Sequence, residues 1–267
     1  MNSLFSNQVV LITGASMGIG RELALAFAKY GAKLVLAARS LPELESVAQE
    51  AFKAGSDILV IKADLTQEAE RIHLISEIEK KYGKLDLLIN NAGKGLYSLV
   101  ENAQAKSVAD LFDLNLFALM DLTQKALPLL REDTASPFKT IVNISSLASF
   151  VPVPKMSFYC ASKAALNGFA NTLRIELAHE KIRVLNVYPG LINTSFSQNA
   201  PNPAQATIPK AYKTVGQGYP PRKLAQKILR AILRKKSHEY VTFSNWLIIK
   251  SYQHLPSLVN LVMKRFV

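Results

Sequence analysis

The 267-residue chain has one cysteine and one tryptophan. A lone cysteine cannot build a disulfide framework within the chain. His73, His179, His238 and His254 fall at no metal-ligand spacing with cysteine or acids, so no metal site is expected. No apolar run reaches the ~18 residues needed to cross a bilayer. The segment Met1 to Gln8 has no basic stretch, and the apolar run after it is too short for a secretory signal. The chain therefore reads as cytoplasmic, soluble or peripheral to a membrane. What is abundant excludes wholesale disorder: 49% of residues are hydrophobic, enough to bury one large core.

Acidic residues are scarce in one region only. Of 32 basic and 20 acidic side chains, twelve basic and a single acid, Glu239, lie between Gln205 and Val267. The rest of the chain is almost neutral. A basic final quarter suggests an anionic partner, with a solvated basic face as the plain alternative. No nucleic-acid motif accompanies the charge, so no nucleic acid is expected.

Hydrophobic periodicity alternates between short apolar runs and helical spacing. Val9–Ile12, Leu34–Ala37, Ile58–Ile61, Leu85–Ile89, Thr140–Ile144 and Arg183–Tyr188 read as strands, and Val241–Phe243 as a seventh. Helices are predicted over Ile19–Tyr30, Pro42–Ala54, Thr66–Tyr82, Ser107–Leu130, Tyr159–Glu180 and Pro221–Lys236. Strands apolar throughout, alternating with helices, predict an α/β fold: a doubly wound parallel sheet of the Rossmann type. Residues 1–267 form a single domain on this reading, with 193–220 as a substrate loop and 244–267 as a C-terminal extension.

Three patterns carry chemistry. Thr13-Gly14-Ala15-Ser16-Met17-Gly18-Ile19-Gly20 joins the first strand to the first helix. Glycines there allow a tight turn and let backbone N–H groups approach a pyrophosphate at the helix N-terminus. The second strand ends in Ala38-Arg39-Ser40 with no acid from Leu36 to Ser40. An acid there would bind a ribose 2′-hydroxyl, whereas the planar Arg39 with Ser40 beside it suits a 2′-phosphate. NADPH is therefore expected rather than NADH. Finally, Tyr159 and Lys163 stand four apart on a helix and so share a face. A nearby cation lowers the pKa of a phenol, ~10 when free, towards the working range of a proton shuttle. Ser146, thirteen residues upstream of Tyr159, can bond a substrate oxygen as charge develops on it.

These motifs, with Asp64 after strand three, Asn90-Asn91-Ala92-Gly93 after strand four, Asn115 in the long helix and Pro189-Gly190 with Thr194, occur together and in order. The sequence resembles the short-chain dehydrogenase/reductase family over nearly its whole length. Ala38-Arg39-Ser40, Leu173 to Leu177 and the basic helix liken it to the branch of dehydrogenase/reductase member 7 and 11-beta-hydroxysteroid dehydrogenase. The resemblance implies interconversion of a carbonyl and a secondary alcohol. Tyr159 would be its acid and base, Lys163 would bind the nicotinamide ribose, Ser146 would orient the carbonyl, and Asn115 would hold a water in a relay to Lys163. Gly14, Ser16, Met17, Gly18, Ile19 and Gly20 would cradle the cofactor with Arg39 and Ser40. Asp64 and Leu65 would flank the adenine; Asn91, Ala92 and Gly93 would line the cleft. Ile192 and Thr194 would hold the carboxamide, with Pro189 and Gly190 also binding the cofactor. A homodimer or homotetramer built on the long helices is implied as well.

Two departures stand out. Many NADPH-preferring relatives carry a basic residue where this chain has Met17, so the 2′-phosphate rests mainly on Arg39. Relatives in animal membranes often carry an N-terminal anchor, whereas this sequence starts almost directly at strand one. Trp246 to Ile249 and Leu258 to Val267 are apolar with Lys250, Lys264 and Arg265 interspersed. That suits peripheral membrane contact, or a tail folded over the cleft or over a subunit interface. Both imply a lipophilic substrate: steroid, acyl or keto-lipid. A different reading is a catalytically weak cofactor-binding or membrane-associated regulatory protein on the same fold. Cys160, beside Tyr159, reads as a small buried residue rather than a redox thiol.

Overall fold

The computed structural model describes residues 4–133, 136–202 and 218–263. Seven strands form one sheet: β1 (Val9–Thr13), β2 (Lys33–Ala38), β3 (Ile58–Lys62), β4 (Leu87–Asn90), β5 (Thr140–Ile144), β6 (Arg183–Tyr188) and β7 (His238–Tyr240). Every pairing is parallel and the spatial order is β3-β2-β1-β4-β5-β6-β7. Crossover helices cover both faces. These are α1 (Gly18–Ala28), α2 (Leu41–Phe52), α3 (Glu68–Tyr82), α4 (Ala105–Phe112), α5 (Ala118–Glu132), α6 (Ser157–Glu176) and α7 (Pro221–Leu233). Two more, α8 (Phe243–His254) and α9 (Pro256–Met263), follow β7.

Side chains alternate across each strand, so one strand feeds two cores. From β1, Val10 and Ile12 join Leu23 and Phe27 of α1, Leu44 of α2 and Ile228 of α7. Val9 and Leu11 face the other way, onto Leu74 of α3, Leu122 of α5 and Leu173 of α6. Burying each such aliphatic side chain stabilises the fold by about 1.5–3 kcal/mol. Both faces are needed, which is why β1 is apolar at every position but its last, Thr13. The chain winds outward from β1 through β2 to β3, then returns to place β4 on the other side of β1. That reversal opens a crevice at the carboxyl ends of β1 and β4, where ligands of such sheets bind.

The doubly wound sheet is as expected, but several element bounds differ. The seventh strand is His238–Tyr240, not Val241–Phe243. Val241 is buried in the core beyond the ladder, while Thr242 already caps α8 by accepting a hydrogen bond from the Asn245 N–H. The long helix predicted over Ser107–Leu130 is two helices, α4 and α5, joined by a π turn at Asp113–Phe117. α6 starts at Ser157 and gives way after Glu176 to a short 3₁₀ turn, Ala178–Glu180. Of the expected substrate loop, residues 203–217 lie outside the described residues, as do 264–267 of the extension.

Candidate active site

The crevice is a cavity of about 430 Å³ that runs from the β1–α1 turn past the end of β5 to α6. At one end stands the glycine turn. Gly14 has φ +61°, and a Cβ on Gly20 would lie 2.2 Å from the Gly14 carbonyl oxygen, so no side chain fits there. Asn91 fastens this turn: its Nδ2 donates to the Thr13 and Gly14 carbonyls at 2.9 and 3.0 Å. Thr13 Oγ1 accepts from the backbone N–H groups of Asn91 and Ala92, both at 3.0 Å. α1 starts from Met17 with no side-chain cap and no acid in its first turn. Its free N–H groups and positive dipole end thus point at the cavity, a ready-made phosphate site.

Arg39 and Ser40 at the end of β2, and Asp64 and Leu65 after β3, line the neighbouring wall. Asp64 Oδ1 accepts from Thr66 N and Thr66 Oγ1 at 3.1 and 2.8 Å, which holds the turn after β3. Leu65 is held from behind, where Arg71 donates to its carbonyl at 2.6 Å and pairs with Asp121.

At the other end, Ser146, Tyr159 and Lys163 line the same cavity. Tyr159 and Lys163 occupy successive turns of α6, and the Lys163 Nζ lies 6.0 Å from the Tyr159 ring centroid. Lys163 is 4% exposed and donates to the Ile144 carbonyl at 3.0 Å. Burial pushes its pKa down to about 8. Ser146 caps the 3₁₀ turn Leu147–Ser149 by accepting from Ala148 N at 3.1 Å, which leaves its hydroxyl hydrogen for a ligand.

The turn that carries Ser146 is anchored by Asn167, one turn beyond Lys163 on α6. Asn167 Nδ2 donates to Ser149 Oγ at 2.7 Å, and its Oδ1 accepts from Ser145 Oγ at 3.0 Å. Ser149 Oγ in turn donates to the Ser146 carbonyl. Leu147 N donates to the Pro189 carbonyl at 2.8 Å and ties this turn to the Pro189-Gly190 loop. Apolar groups close the space above: Tyr97, Val153, Met156 and Phe196, whose ring centroid is 5.9 Å from that of Tyr159.

All but two of the expected site residues line this one cavity; Gly20 and Asn115 stand behind its wall. Asn115 is fully buried in the π turn. Its Oδ1 accepts from Lys94 N and its Nδ2 donates to the Lys94 carbonyl, both at 2.9 Å, and Nδ2 also donates to Ser162 Oγ at 3.3 Å. Both amide hydrogens of the Asn115 side chain are thus engaged by the chain itself. Cys160 is partly buried, and burial pushes its thiol pKa up, away from reactivity. Lys94, Ser145, Asn167 and Phe196 also belong to the site or its support. Nothing in their spacing marked them, because their partners are distant in sequence.

The glycine turn, the end of β2 and the Tyr159–Lys163 pair therefore meet in one crevice, and the sequence matches the short chain dehydrogenase family over residues 8–205. The chain belongs to that family. An 11-beta-hydroxysteroid dehydrogenase A of Sesamum indicum is 35% identical over 255 residues, which cover 92% of this chain and 72% of the relative. A dehydrogenase/reductase SDR family member 7 of Mus musculus is 38% identical over 200 residues; the match covers 73% of this chain but only 58% of that protein. Among solved structures, a 3-ketoacyl-(acyl-carrier-protein) reductase of Brucella melitensis complexed with NADH superposes with a TM-score of 0.78 at 28% identity, covering 89% of this chain and 97% of that one. A short-chain dehydrogenase/reductase of Burkholderia phymatum in complex with NAD shares the fold, with a TM-score of 0.84, 23% identity and 95% of each chain covered.

In this short-chain dehydrogenase two further helices, α8 and α9, follow β7 at the C-terminal side. Ile249 of α8 is buried against Val151 and Tyr188. Asn245 packs so closely on Gly190 that a Cβ there would lie 3.0 Å from its Nδ2. The outward side of these helices is apolar: Phe243, Trp246, Leu247, Leu258 and Leu261 are all exposed. Among the described residues no helix is long and apolar enough to cross a membrane.

Proposed function

We propose that this short-chain dehydrogenase is an NADPH-linked reductase of carbonyl groups on lipophilic substrates, also able to run the reverse oxidation of a secondary alcohol. The observation that carries the reading is the convergence of Ser146, Tyr159 and Lys163 on a cavity whose far end is an uncapped helix N-terminus flanked by Arg39. The residues present fit a dinucleotide phosphate: the N-terminus of α1 lines the cavity uncapped and without an acid in its first turn, beside Arg39, and the missing Cβ atoms of Gly14 and Gly20 let the turn fold tightly against Asn91 and Ala92. When bound, the nicotinamide supplies the hydride. Lys163 would hold its ribose, and Ile192 and Thr194 its carboxamide.

In reduction the Tyr159 hydroxyl donates its proton to the substrate oxygen while the Ser146 hydroxyl, which accepts from Ala148 N through one lone pair, donates its hydrogen bond to the same oxygen. The Lys163 ammonium stabilises the phenolate left on Tyr159. The Asn115 side chain keeps the loop at Lys94 in place, and a relay water to Lys163 would be held by the Asn115 main chain. Tyr97, Val153, Met156 and Phe196 make the substrate end apolar, which supports a steroid, acyl or keto-lipid. An intact set of reactive side chains argues against a regulatory protein without turnover.

The test is a cofactor-coupled screen of hydroxysteroid, 3-oxoacyl and long-chain ketones. Tyr159→Phe should lower turnover by about 10³-fold or more while NADPH binding stays within about twofold. Unchanged turnover sinks the mechanism.

The exposed row Phe243, Trp246, Leu247, Leu258 and Leu261 favours peripheral membrane contact as the way such substrates arrive. Sedimentation with anionic vesicles should show binding that Trp246→Ser with Leu258→Ser removes. Equal binding by both forms rejects this route. Assembly through the long helices would leave Phe117 and Ile175, both exposed in the single chain, covered in a dimer or tetramer.

A further inference from the structure

Besides Arg39 and Lys163, the cleft holds a third cation, which the sequence motifs do not mark. Lys94 follows Gly93 at the exit of β4 and lines the cavity with Arg39, which stands at the exit of β2 on the other side of β1. Its main chain is clamped on both sides, because Asn115 accepts from its N–H and donates to its carbonyl. The side chain therefore starts from a fixed point. Its ammonium makes no ion pair or hydrogen bond among the described residues, and neither does the Arg39 guanidinium. Three other lysines of the body find partners: Lys81 pairs with Asp57, Lys84 with Asp86 and Asp133, and Lys125 with Asp121 and Glu68.

Two unpaired cations facing one cavity mark a place for an anion. Their surroundings say which. The pyrophosphate already has the uncapped end of α1, whereas Arg39 lies where a group on the adenosine ribose 2′ position falls. The glycine turn brings no charge of its own, since Met17 is neutral. Partial burial lowers the Lys94 pKa, and the Arg39 charge acts in the same direction. Asp110, Asp113 and Asp64 oppose this from a distance, without an ion pair.

We propose that Lys94 is a specificity-determining residue, which reaches across the cleft to the cofactor's 2′-phosphate and supplies, with Arg39, the second positive charge that Met17 does not. The inference rests on the NADPH reading above. Arg39 grips the phosphate from the β2 side and Lys94 from the β4 side, so neither alone gives full discrimination.

The experiment is fluorescence titration of the full chain with NADPH and, separately, NADH at low and high salt, for wild type, Lys94→Met, Lys94→Arg and Arg39→Asp. Lys94→Met should weaken NADPH about five- to tenfold at low salt, with NADH within about twofold, and the loss should shrink at high salt. Lys94→Arg should keep the preference. Lys94→Gln serves if the Met variant does not fold. Equal loss for both cofactors, or no loss for NADPH, overturns the proposal. A wild type that binds NADH as tightly as NADPH shows the NADPH reading itself to be wrong. If wild type prefers NADPH and Arg39→Asp relaxes that preference while Lys94→Met is silent, only the role of Lys94 falls.

Discussion

The two ends of the cleft are built on opposite plans. At the Tyr159 end the polar groups are bonded to the chain before any ligand enters: Lys163 to Ile144, Ser146 to Ala148, Asn167 to Ser145 and Ser149. At the Arg39 end two cations point into the cavity without a partner among the described residues. Groups that carry out a reaction gain from being held in place beforehand, since reorganisation at the moment of reaction raises the barrier. Groups that recognise a charge need only leave it room, and a partner already bound to them would have to be displaced.

The comparison breaks most sharply at Lys163. Lys163→Met should lower turnover by about 10²-fold or more, because the phenolate on Tyr159 loses its cation. The same change should raise the melting temperature of the cofactor-free protein near neutral pH. The sign follows from the depressed pKa: between about 8 and the ordinary lysine value of 10.5 the unfolded chain binds the proton and the folded one does not. Wild-type stability thus rises with pH over that window, and the advantage of the variant, largest below about 8, fades towards 10.5. Melts from pH 7 to pH 10.5 check it; a variant less stable than wild type at pH 7 refutes the account. In wild type the reductive rate should decline above pH 8 as Lys163 loses its charge and Tyr159 becomes a weaker acid.

At the open end, Arg39→Asp should shift the NADPH to NADH preference by about tenfold or more towards NADH, with melting temperature nearly unchanged. A large loss of stability there would mean that the two ends are not built differently. The smallest effect is expected at Asn167. Asn167→Ala should lower kcat about tenfold through misplacement of Ser146, leave NADPH affinity unaltered and leave the pH profile where it was. A shifted pH profile would place Asn167 in contact with Tyr159 or Lys163 chemistry rather than with the Ser146 turn.

The open end was also the more legible in sequence. Arg39 and the glycines act through position alone, just after a strand, and a strand followed by a helix is visible in periodicity. Gly14 to Gly20 could be read as a phosphate turn because only glycine tolerates that backbone. The Tyr159–Lys163 pair was visible for a similar reason, as a spacing of four on one helix. What stayed hidden depends on contacts between distant segments. Asn167 reads as an ordinary polar helix position until Ser145 and Ser149 are folded beneath it. Lys94 looks like a surface lysine until Arg39, fifty-five positions earlier, is seen lining the same cavity. The β7 boundary was misread because Val241 is apolar for the core rather than for the ladder. The strand itself is carried by His238, Glu239 and Tyr240, whose side chains do not look like a strand.

The π turn at Asp113–Phe117 has a consequence for how the chain could be altered. One additional residue per turn shifts the angular phase of everything downstream by about 100°. Because of that offset, α4 presents Leu111 to the substrate side while α5 presents Leu122 and Ala126 to the sheet. Two clocks run on one helix, and Asn115 sits at the change of hour. A one-residue deletion there would reset them to a common time. α5 could keep its place on the sheet, but the amide that clamps Lys94 would be carried off the loop, so a change that makes the helix more regular would dismantle the floor of the cleft.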